Sequence, residues 1–348
     1  MADTITADQV RSLLPTRPAD AHKYTFGKLL VVAGSPQYPG AATLATAGAA
    51  RIGAGLVVLA TGRSAAGGPG RLAEITYTFL PEAEWGSLGE AAADELLGKL
   101  EGYQALLIGP GIGREQPTRR FLERLLGLDS SQQKNQKGRI GFQIGASDTN
   151  AASNRPEIPA CVLDADALSL LAAPPTTEAP KRRGDFFQRS SEEKAPTSEA
   201  ADQWWEALPR GRFVLTPHAG EMARLLGVEQ LDGDPAELAS AAAQRWGQIV
   251  VLKGATTIVA SPDGAVALHA SPNPALATAG TGDVLAGAIA GLIAQGLQPF
   301  DAAIVGVFVH SAAGHLLAEE LGDMGTLASD LLPRLPLAIR ALRARRKE

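Results

Sequence analysis

Short apolar runs alternate along the chain with longer segments that are rich in alanine and leucine. The runs are almost continuously hydrophobic, which is typical of parallel strands covered on both faces. Alternating strands and helices favour an α/β fold, a three-layer sandwich with a mostly parallel central sheet and helices on both faces. The predicted strands are Leu29–Ala33, Leu56–Ala60, Ala105–Ile108, Cys161–Leu163, Arg212–Leu215 and Ile249–Leu252, and the predicted helices are Ala41–Ile52, Gln116–Leu126 and Asp234–Trp246.

Two further runs predict a β-hairpin in the last third of the chain. Thr256–Ala260 and Ala265–Ala270 flank Ser261-Pro-Asp-Gly264, and proline, aspartate and glycine each favour a turn. After Asp283 the pattern is helical to the end. Apolar runs such as Val284–Ala294 are shorter than the ~18 residues of a membrane helix, so we expect a soluble protein with no membrane contact.

Two polar stretches interrupt the alternation of strands and helices. Residues 130–159 are rich in Ser, Gln, Asn and Gly, and residues 174–201 are rich in Pro, Glu, Ser and Lys. Neither stretch can bury much apolar surface. We therefore predict one domain over residues 23–348 with mobile insertions at these two places, preceded by a lead-in of residues 1–22.

Composition and charge narrow the function classes. The 348 residues are 45% hydrophobic and 20% charged, as in ordinary globular proteins. A single cysteine, Cys161, excludes a disulfide framework and a cysteine-rich zinc site, and it fits a reducing cytoplasm. The net charge of −5 argues against a nucleic-acid partner. Asp3 and Asp8 stand where a signal peptide would be apolar.

The strongest chemical signal is Ala277-Thr-Ala-Gly-Thr-Gly-Asp283, which leads directly into an apolar helix. The free backbone N–H groups and the positive helix end suit a phosphate, so Gly280, Thr281 and Gly282 are candidates for an anion hole. A polyanion would repel the carboxylate of Asp283, so an aspartate at this position needs a functional explanation. One such role is to take a proton from a hydroxyl that attacks phosphorus. The alternative is a tight turn whose aspartate complements the helix dipole. We favour a phosphoryl-transfer site.

Lys253-Gly-Ala-Thr-Thr257 ends a predicted strand, where ligands gather in open α/β sheets. Its lysine and two hydroxyls could hold a nucleotide phosphate or ribose. Alternatively, Lys253 extends its ammonium group to water from the strand end.

Thr216-Pro-His-Ala-Gly-Glu221 also follows a strand and opens a helix. Glu221 near a helix start suits the dipole. His218 lies in a loop at the sheet edge, where both a functional role and simple exposure are open.

Leu163-Asp-Ala-Asp-Ala-Leu168 places two carboxylates at the end of an apolar strand. Asp164 and Asp166 could coordinate Mg²⁺ through water, or either could cap the next helix. We assign Asp166 mainly to a cap.

These motifs in this order resemble one family. The segments GKLLVVAGS, LIGPGIG, LDADAL, LTPHAGEMARLLG, VVLKGATT and ATAGTGDVLAG, from about Lys23 to Pro336, resemble the ADP-dependent NAD(P)H-hydrate dehydratases of the ribokinase-like superfamily. TPHAGE and TAGTGD together with LDADAL are the specific part. An epimerase domain fused upstream in some members is not seen, so the resemblance implies a stand-alone dehydratase.

The resemblance implies a repair reaction on damaged cofactors. The S epimer of hydrated NADH or NADPH (NADHX or NADPHX) would be phosphorylated on its ring hydroxyl by ADP, and loss of phosphate would restore NADH or NADPH, with AMP as by-product. Mg²⁺ would bridge the phosphates, held mostly through water with no firm protein ligand. The family also implies a homo-oligomer, possibly a tetramer, that works with a separate epimerase.

Residue roles follow from the same resemblance. Asp283 would be the base for the ring hydroxyl and a contact to the hydrate, and Gly282 of the anion hole would also lie near AMP. The ADP would be held by Lys253, Gly254, Ala255, Thr256 and Thr257. The pocket for the hydrated dinucleotide would be lined by Ala42, Gly111 and His218. Ser169, Ala275 and Ser271-Pro272 depart from the family pattern.

Two alternatives remain open on the sequence. An ATP-dependent kinase of the same superfamily, acting on a sugar, vitamin precursor or thiazole alcohol, would use Asp283 and the anion hole equally well. A non-catalytic nucleotide-binding protein is the other alternative.

Overall fold

The structure is a computed structural model that describes residues 2–67, 72–128, 157–172 and 203–344. The predicted insertion at 174–201 lies outside the described residues, as does the one at 130–159 except for its last three positions.

The strands of the described residues form one sheet in which most neighbours run parallel. Only the hairpin strands β8–β9 and β9–β10 pair antiparallel among the described pairs. The sheet order is β1-β10-β9-β8-β7-β6-β5-β2-β3-β4. The strands are β1 (Asp3–Thr4), β2 (Lys28–Val32), β3 (Leu56–Thr61), β4 (Thr76–Phe79), β5 (Ala105–Ile108), β6 (Ala160–Leu163), β7 (Phe213–Leu215), β8 (Ile249–Leu252), β9 (Thr256–Ala260) and β10 (Val266–Ala270).

Helices cover both faces of the sheet. Successive residues of a strand point to opposite faces, and in β2 Leu29 and Val31 enter one apolar cluster while Leu30 and Val32 enter the other. The first cluster is covered by α1, α2 and α8–α11, the second by α3–α7. The predicted three-layer sandwich is confirmed. The helices are α1 (Ala7–Leu13), α2 (Pro39–Arg51), α3 (Glu90–Leu97), α4 (Gln116–Leu126), α5 (Asp166–Ala172), α6 (Ala219–Leu226), α7 (Pro235–Trp246), α8 (Thr281–Ala294), α9 (Pro299–Leu321), α10 (Ala328–Leu331) and α11 (Arg334–Ala344).

The predicted strands and the hairpin are all present, with bounds within one residue of the expected ones. Two strands were not predicted. β4 is half-exposed at one edge of the sheet, so it lacks a continuous apolar run. β1 has only two residues and pairs with β10, which brings part of the predicted lead-in into the sheet.

Helix α9 corrects the expectation that every apolar segment is too short for a membrane. It has 23 residues and a mean hydropathy of 1.4 over 18 of them, so by length and composition it could cross a bilayer. However, 67% of that window is buried inside the molecule. Its apolar residues, such as Ile304 and Val305, join the core cluster beside α8. Its hydrophobicity is explained by its place in the core.

Candidate active site

The loops that follow the central parallel strands meet at one edge of the sheet. β2, β5, β6, β7 and β8 run in the same direction, so their carboxyl ends share that edge. Asp164 follows β6, Thr216 follows β7 and Lys253 follows β8. Helix α8 packs against β2, β5 and β6.

Lys253 forms a buried ion pair rather than extending to water. Its Nζ lies 2.8 Å from Asp164 Oδ1 and 3.9 Å from Glu221 Oε2. Thr216 Oγ1 donates to the same Asp164 oxygen at 2.6 Å. Burial by itself would lower the pKa of Lys253, but the Asp164 and Glu221 carboxylates outweigh it and raise that pKa. The ammonium is therefore charged and held in one place.

Asp166 is not the helix cap that the sequence suggested. It lies in the first turn of α5, and its two carboxylate oxygens accept hydrogen bonds from Gly113 N at 3.0 Å and Arg114 Nε at 2.6 Å. Both bonds run across to the loop after β5 rather than to the N–H groups of its own helix. Asp166 thus fixes the Gly109–Gly113 loop.

His218 and Glu221 close the start of α6 in a reciprocal cap. His218 Nδ1 accepts from the backbone N–H groups of Gly220 and Glu221 at 3.0 and 3.2 Å, and Glu221 Oε2 accepts from His218 N at 2.9 Å. With Nδ1 as an acceptor, the neutral ring carries its proton on Nε2. His218 therefore has a structural task, and its ring remains about half exposed at the site edge.

The start of α8 has the geometry of an anion site. Gly280 has a φ of +91° and precedes the helix, and a Cβ there would lie 2.5 Å from Leu44 Cδ1, so only glycine fits. Thr281 Oγ1 donates to the Leu276 and Thr278 carbonyls at 3.0 Å each, which holds the side chain in place. The backbone N–H of Thr281 lies in the first turn of the helix, where it has no acceptor within the helix and is available for a ligand. The ideal Cβ position of Gly282 is 3.4 Å from Lys253 Nζ. The ammonium thus lies beside the helix start.

Asp283 stands in the first turn of α8 among other charged groups. Burial is the largest cause and the charge of the Asp164 carboxylate the next, and they raise the pKa of Asp283 to about 7. The charge of Lys253 acts in the opposite direction. Burial likewise raises the pKa of Glu221. A carboxyl group with a pKa near neutrality can exchange a proton at physiological pH, as a general base must.

His310 is a residue of the site that sequence reasoning missed. It is buried in α9, and its Nε2 lies 3.0 Å from the Thr281 carbonyl oxygen. Burial lowers its pKa to about 4, so the ring is neutral and Nε2–H donates to that carbonyl. The available signal was a histidine within an apolar helical pattern, because a buried polar group needs a partner.

Gly111 lies against the start of α2, the helix that carries Ala42, beside this edge. Gly111 has a φ of +62°, and a Cβ there would lie 2.8 Å from Ala41 Cβ. Gly34 N donates to the Pro110 carbonyl at 2.8 Å, which ties the loop after β5 to the loop before α2. His218 follows β7 and is separated from this pair by β6.

The segment from Lys253 to Thr257 comprises the turn between β8 and β9 and the first two residues of β9. Gly254, Ala255 and Thr256 are exposed, and Thr257 Oγ1 donates to the Gly254 carbonyl at 3.3 Å. The exposed turn and the partly buried lysine thus lie side by side at the sheet edge.

The carboxylates here do not form a ready-made metal cage. Within the described residues there is no group of three or more His, Cys, Asp or Glu placed to hold a metal ion. Asp164 and Asp166 already accept from protein donors. A carboxylate has about four lone pairs, so these groups retain acceptors for waters around an ion. The donors fit Mg²⁺ held through water and phosphate oxygens, which Mg²⁺ favours.

A family comparison agrees with the order of motifs along the sheet. The family model described as NAD(P)H-hydrate dehydratase matches residues 29–185 and 197–337. The chain belongs to this NAD(P)H-hydrate dehydratase family. The match covers each loop of the site described above.

Named relatives lie in the same family. The ADP-dependent (S)-NAD(P)H-hydrate dehydratase of Xanthomonas campestris is 34% identical over 96% of this chain and 94% of that protein. The bifunctional NAD(P)H-hydrate repair enzyme Nnr of Moorella thermoacetica is 38% identical over 97% of this chain but 54% of that protein. The chain spans about half the length of the first curated relatives it matches.

A solved structure supports the fold. The ADP/ATP-dependent NAD(P)H-hydrate dehydratase of Bacillus subtilis, co-crystallised with ATP and Mg²⁺, has a TM-score of 0.69 and 29% identity, covering 98% of this chain and 99% of that one. The ribokinase-like fold expected from the sequence is confirmed. The names of these relatives favour the dehydratase over the kinase alternative.

Proposed function

We propose that this chain uses ADP to dehydrate the S epimer of NADHX and NADPHX, releasing NADH or NADPH with AMP and phosphate. One observation carries the proposal: a carboxyl group with a pKa of about 7, Asp283, stands at a helix start beside the fixed ammonium of Lys253. Family membership and the names of full-length relatives support the substrate and the donor.

The reaction begins with a proton transfer to Asp283. The ring hydroxyl of the hydrate loses its proton to the carboxylate while its oxygen bonds to the β-phosphorus of ADP. The bond from that phosphorus to the bridging oxygen breaks, and AMP leaves. Hydroxide is a poor leaving group and phosphate a better one. The ring nitrogen then assists loss of phosphate, and the adjacent ring carbon gives up a proton to water to restore the double bond.

Residue roles in the proposal follow the geometry. The N–H groups of Gly280, Thr281 and Gly282 would hold the transferred phosphate, where the helix dipole favours negative charge. Lys253 would stabilise the charge that develops on the phosphate oxygens. The segment Gly254–Thr257, at the turn and the start of β9, would hold the rest of ADP. Ala42, Gly111 and the exposed face of His218 would line the hydrate pocket.

Mg²⁺ would supply charge neutralisation between the phosphates when bound. Asp164 and Glu221 keep lone pairs at the sheet edge and would accept hydrogen bonds from its water ligands.

Further properties belong to the same proposal. We infer a soluble cytoplasmic enzyme that forms a homo-oligomer, in which residues 23–348 are one domain with insertions at 130–159 and 174–201. A separate or fused epimerase would supply the S epimer. Light scattering on the purified chain measures the oligomer directly, and a monomer at all concentrations would contradict it.

The test is recovery of absorbance at 340 nm from purified (S)-NADHX and Mg²⁺ with ADP, ATP or no nucleotide. Recovery with ADP is the expected result. Recovery with ATP alone would support the dehydration reaction but would reject ADP as the phosphate donor. No recovery with either, from protein shown to be folded, would reject the proposal in favour of a kinase acting on small alcohols.

A further inference from the structure

A cavity of about 270 Å³ lies at the opposite end of helix α8 from Asp283. It is half open to solvent and is lined by the ends of α2 and α8, by α11 and by the segment after α1. Helix α8 has 14 residues and so separates it from the candidate active site by about 20 Å. Four arginines line it, and we name it the arginine cavity: Arg17, Arg51, Arg340 and Arg343.

Positive charge in the arginine cavity is not balanced by protein carboxylates. Among the described residues that line it, none is acidic. The carboxyl-terminal ends of α2 and α8 offer together about one negative charge, against four guanidinium groups. The pKa of Arg17 is lowered, mainly by burial and secondly by the charge of Arg343. At least these two cations are therefore close enough to repel each other. A bound anion would relieve that repulsion.

Two of the arginines are held in place and two are free to bind. Arg17 Nη2 donates to the Gly53 carbonyl at 2.6 Å and its guanidinium stacks 3.6 Å from the Phe26 ring centre. Arg343 Nη2 donates to the Pro15 carbonyl at 2.8 Å. The guanidinium groups of Arg51 and Arg340 form no hydrogen bond or ion pair within the described parts of the chain. The cavity therefore combines a fixed frame with unused donors.

We propose that the arginine cavity is a second ligand site, which binds a small phosphorylated anion. Planar guanidinium groups bind phosphate oxygens in pairs of parallel hydrogen bonds, which a single lysine charge does not do. A volume of about 270 Å³ is slightly below the range for drug-sized ligands. It suits a diphosphate or a phosphorylated small metabolite rather than a whole dinucleotide. The site is independent of the proposed dehydratase reaction.

Inorganic pyrophosphate is the probe, measured by titration calorimetry at low ionic strength without Mg²⁺. The test variant is Arg51→Gln/Arg340→Gln. The control variant is Arg120→Gln/Arg245→Gln, which removes the same charge from exposed arginines on α4 and α7, across the sheet. We expect the test variant to bind pyrophosphate at least about tenfold more weakly than the wild type, because two charge-assisted contacts are lost. The control should bind as the wild type does.

A crystal structure of the wild-type chain with pyrophosphate makes the test independent of variant folding. Density for the anion between Arg51 and Arg340 is the expected result. Density only at the start of α8, equal affinity of the two double variants, or no binding by the wild type would each overturn the proposal. Dehydratase activity is read separately, so failure here leaves the proposed function untouched.

Discussion

Three carboxyl groups at the sheet edge share one ammonium group. Asp164 and Glu221 contact Lys253 directly, and Asp283 stands within the field of all three. Burial, together with the negative charges of Asp164 and its neighbours, raises the pKa of Asp283 to about 7, so this group retains a proton near neutral pH. Burial also raises the pKa of Glu221. At the residue scale, the site holds a carboxyl group that can gain and lose a proton.

Replacement of Asp283 tests the base directly. Asp283→Asn keeps the size of the side chain but cannot accept the hydroxyl proton, so we expect turnover to fall by roughly 10²–10⁴ with ADP binding kept. The measurement is the 340 nm assay together with ADP titration. Asp301→Asn is the control, because Asp301 also lies in the first turn of a helix, α9. Near-normal turnover in Asp283→Asn would remove Asp283 from the mechanism.

The pH dependence of kcat/KM reports the free enzyme. With a base of pKa about 7, kcat/KM should rise as pH increases through that value, because only the ionised carboxylate accepts a proton. Asp164→Asn removes a negative charge that raises this pKa, so the rising limb should move to lower pH. Asp166→Asn should move it less, since Asp166 has the smaller effect on Asp283. An unmoved limb in Asp164→Asn would contradict the coupling.

At the scale of elements, α8 is held in position by close contact with α2. A Cβ at Gly48 of α2 would lie 2.6 Å from the Val284 carbonyl oxygen, and a Cβ at Gly287 of α8 would lie 2.0 Å from the Ala45 carbonyl oxygen. Backbone atoms cannot move aside as side chains do. The two helices therefore approach closely only because both faces carry glycine, and this approach sets the position of Asp283.

A methyl group between the helices should separate them. Gly48→Ala should lower the free energy of unfolding by about 1–3 kcal/mol, the usual cost of overpacking, and should also reduce turnover. Gly40→Ala in the same helix is the control, because nothing lies within 4 Å of a Cβ there. It should be neutral or stabilising by up to about 1 kcal/mol. Urea unfolding measures both, and equal effects would show that the contact is unimportant.

At the scale of the whole molecule, the raised pKa of Asp283 is a cost to stability. The folded chain holds this proton up to about pH 7, whereas the unfolded chain releases it near pH 3.9. Between these values the folded state binds more protons, so the free energy of unfolding contributed by this group falls as pH rises. Above pH 7 the loss is complete.

Asp283→Asn should remove this pH dependence. Each pKa unit corresponds to about 1.4 kcal/mol. The free energy of unfolding of the wild type should therefore fall, relative to that of the variant, by up to about 4 kcal/mol between pH 4 and pH 8. Urea unfolding of both proteins across this range measures the difference without ligand. A constant difference would mean that the carboxyl group titrates at its ordinary pKa. Asp301→Asn serves again as the control and should follow the wild type.

The sequence by itself determined the layers and the positions of the chemical motifs. Continuous apolar runs predicted the central strands, and each motif follows a strand or opens a helix because glycine, threonine and aspartate act on their immediate neighbours. The start of α8 and its aspartate at 283 were predicted for this reason. Half-exposed β4 was missed because its pattern contains no continuous apolar run.

Only the tertiary structure decided which groups meet. Lys253 and Asp164 are 89 residues apart, Asp166 reaches the loop after β5 rather than its own helix end, and His310 supports Thr281 from another helix. Such contacts depend on strand order and helix packing, which local patterns do not encode. The raised pKa of Asp283 follows from those contacts and from burial. The same holds for the arginine cavity, whose charges come from separate segments that folding brings to one place.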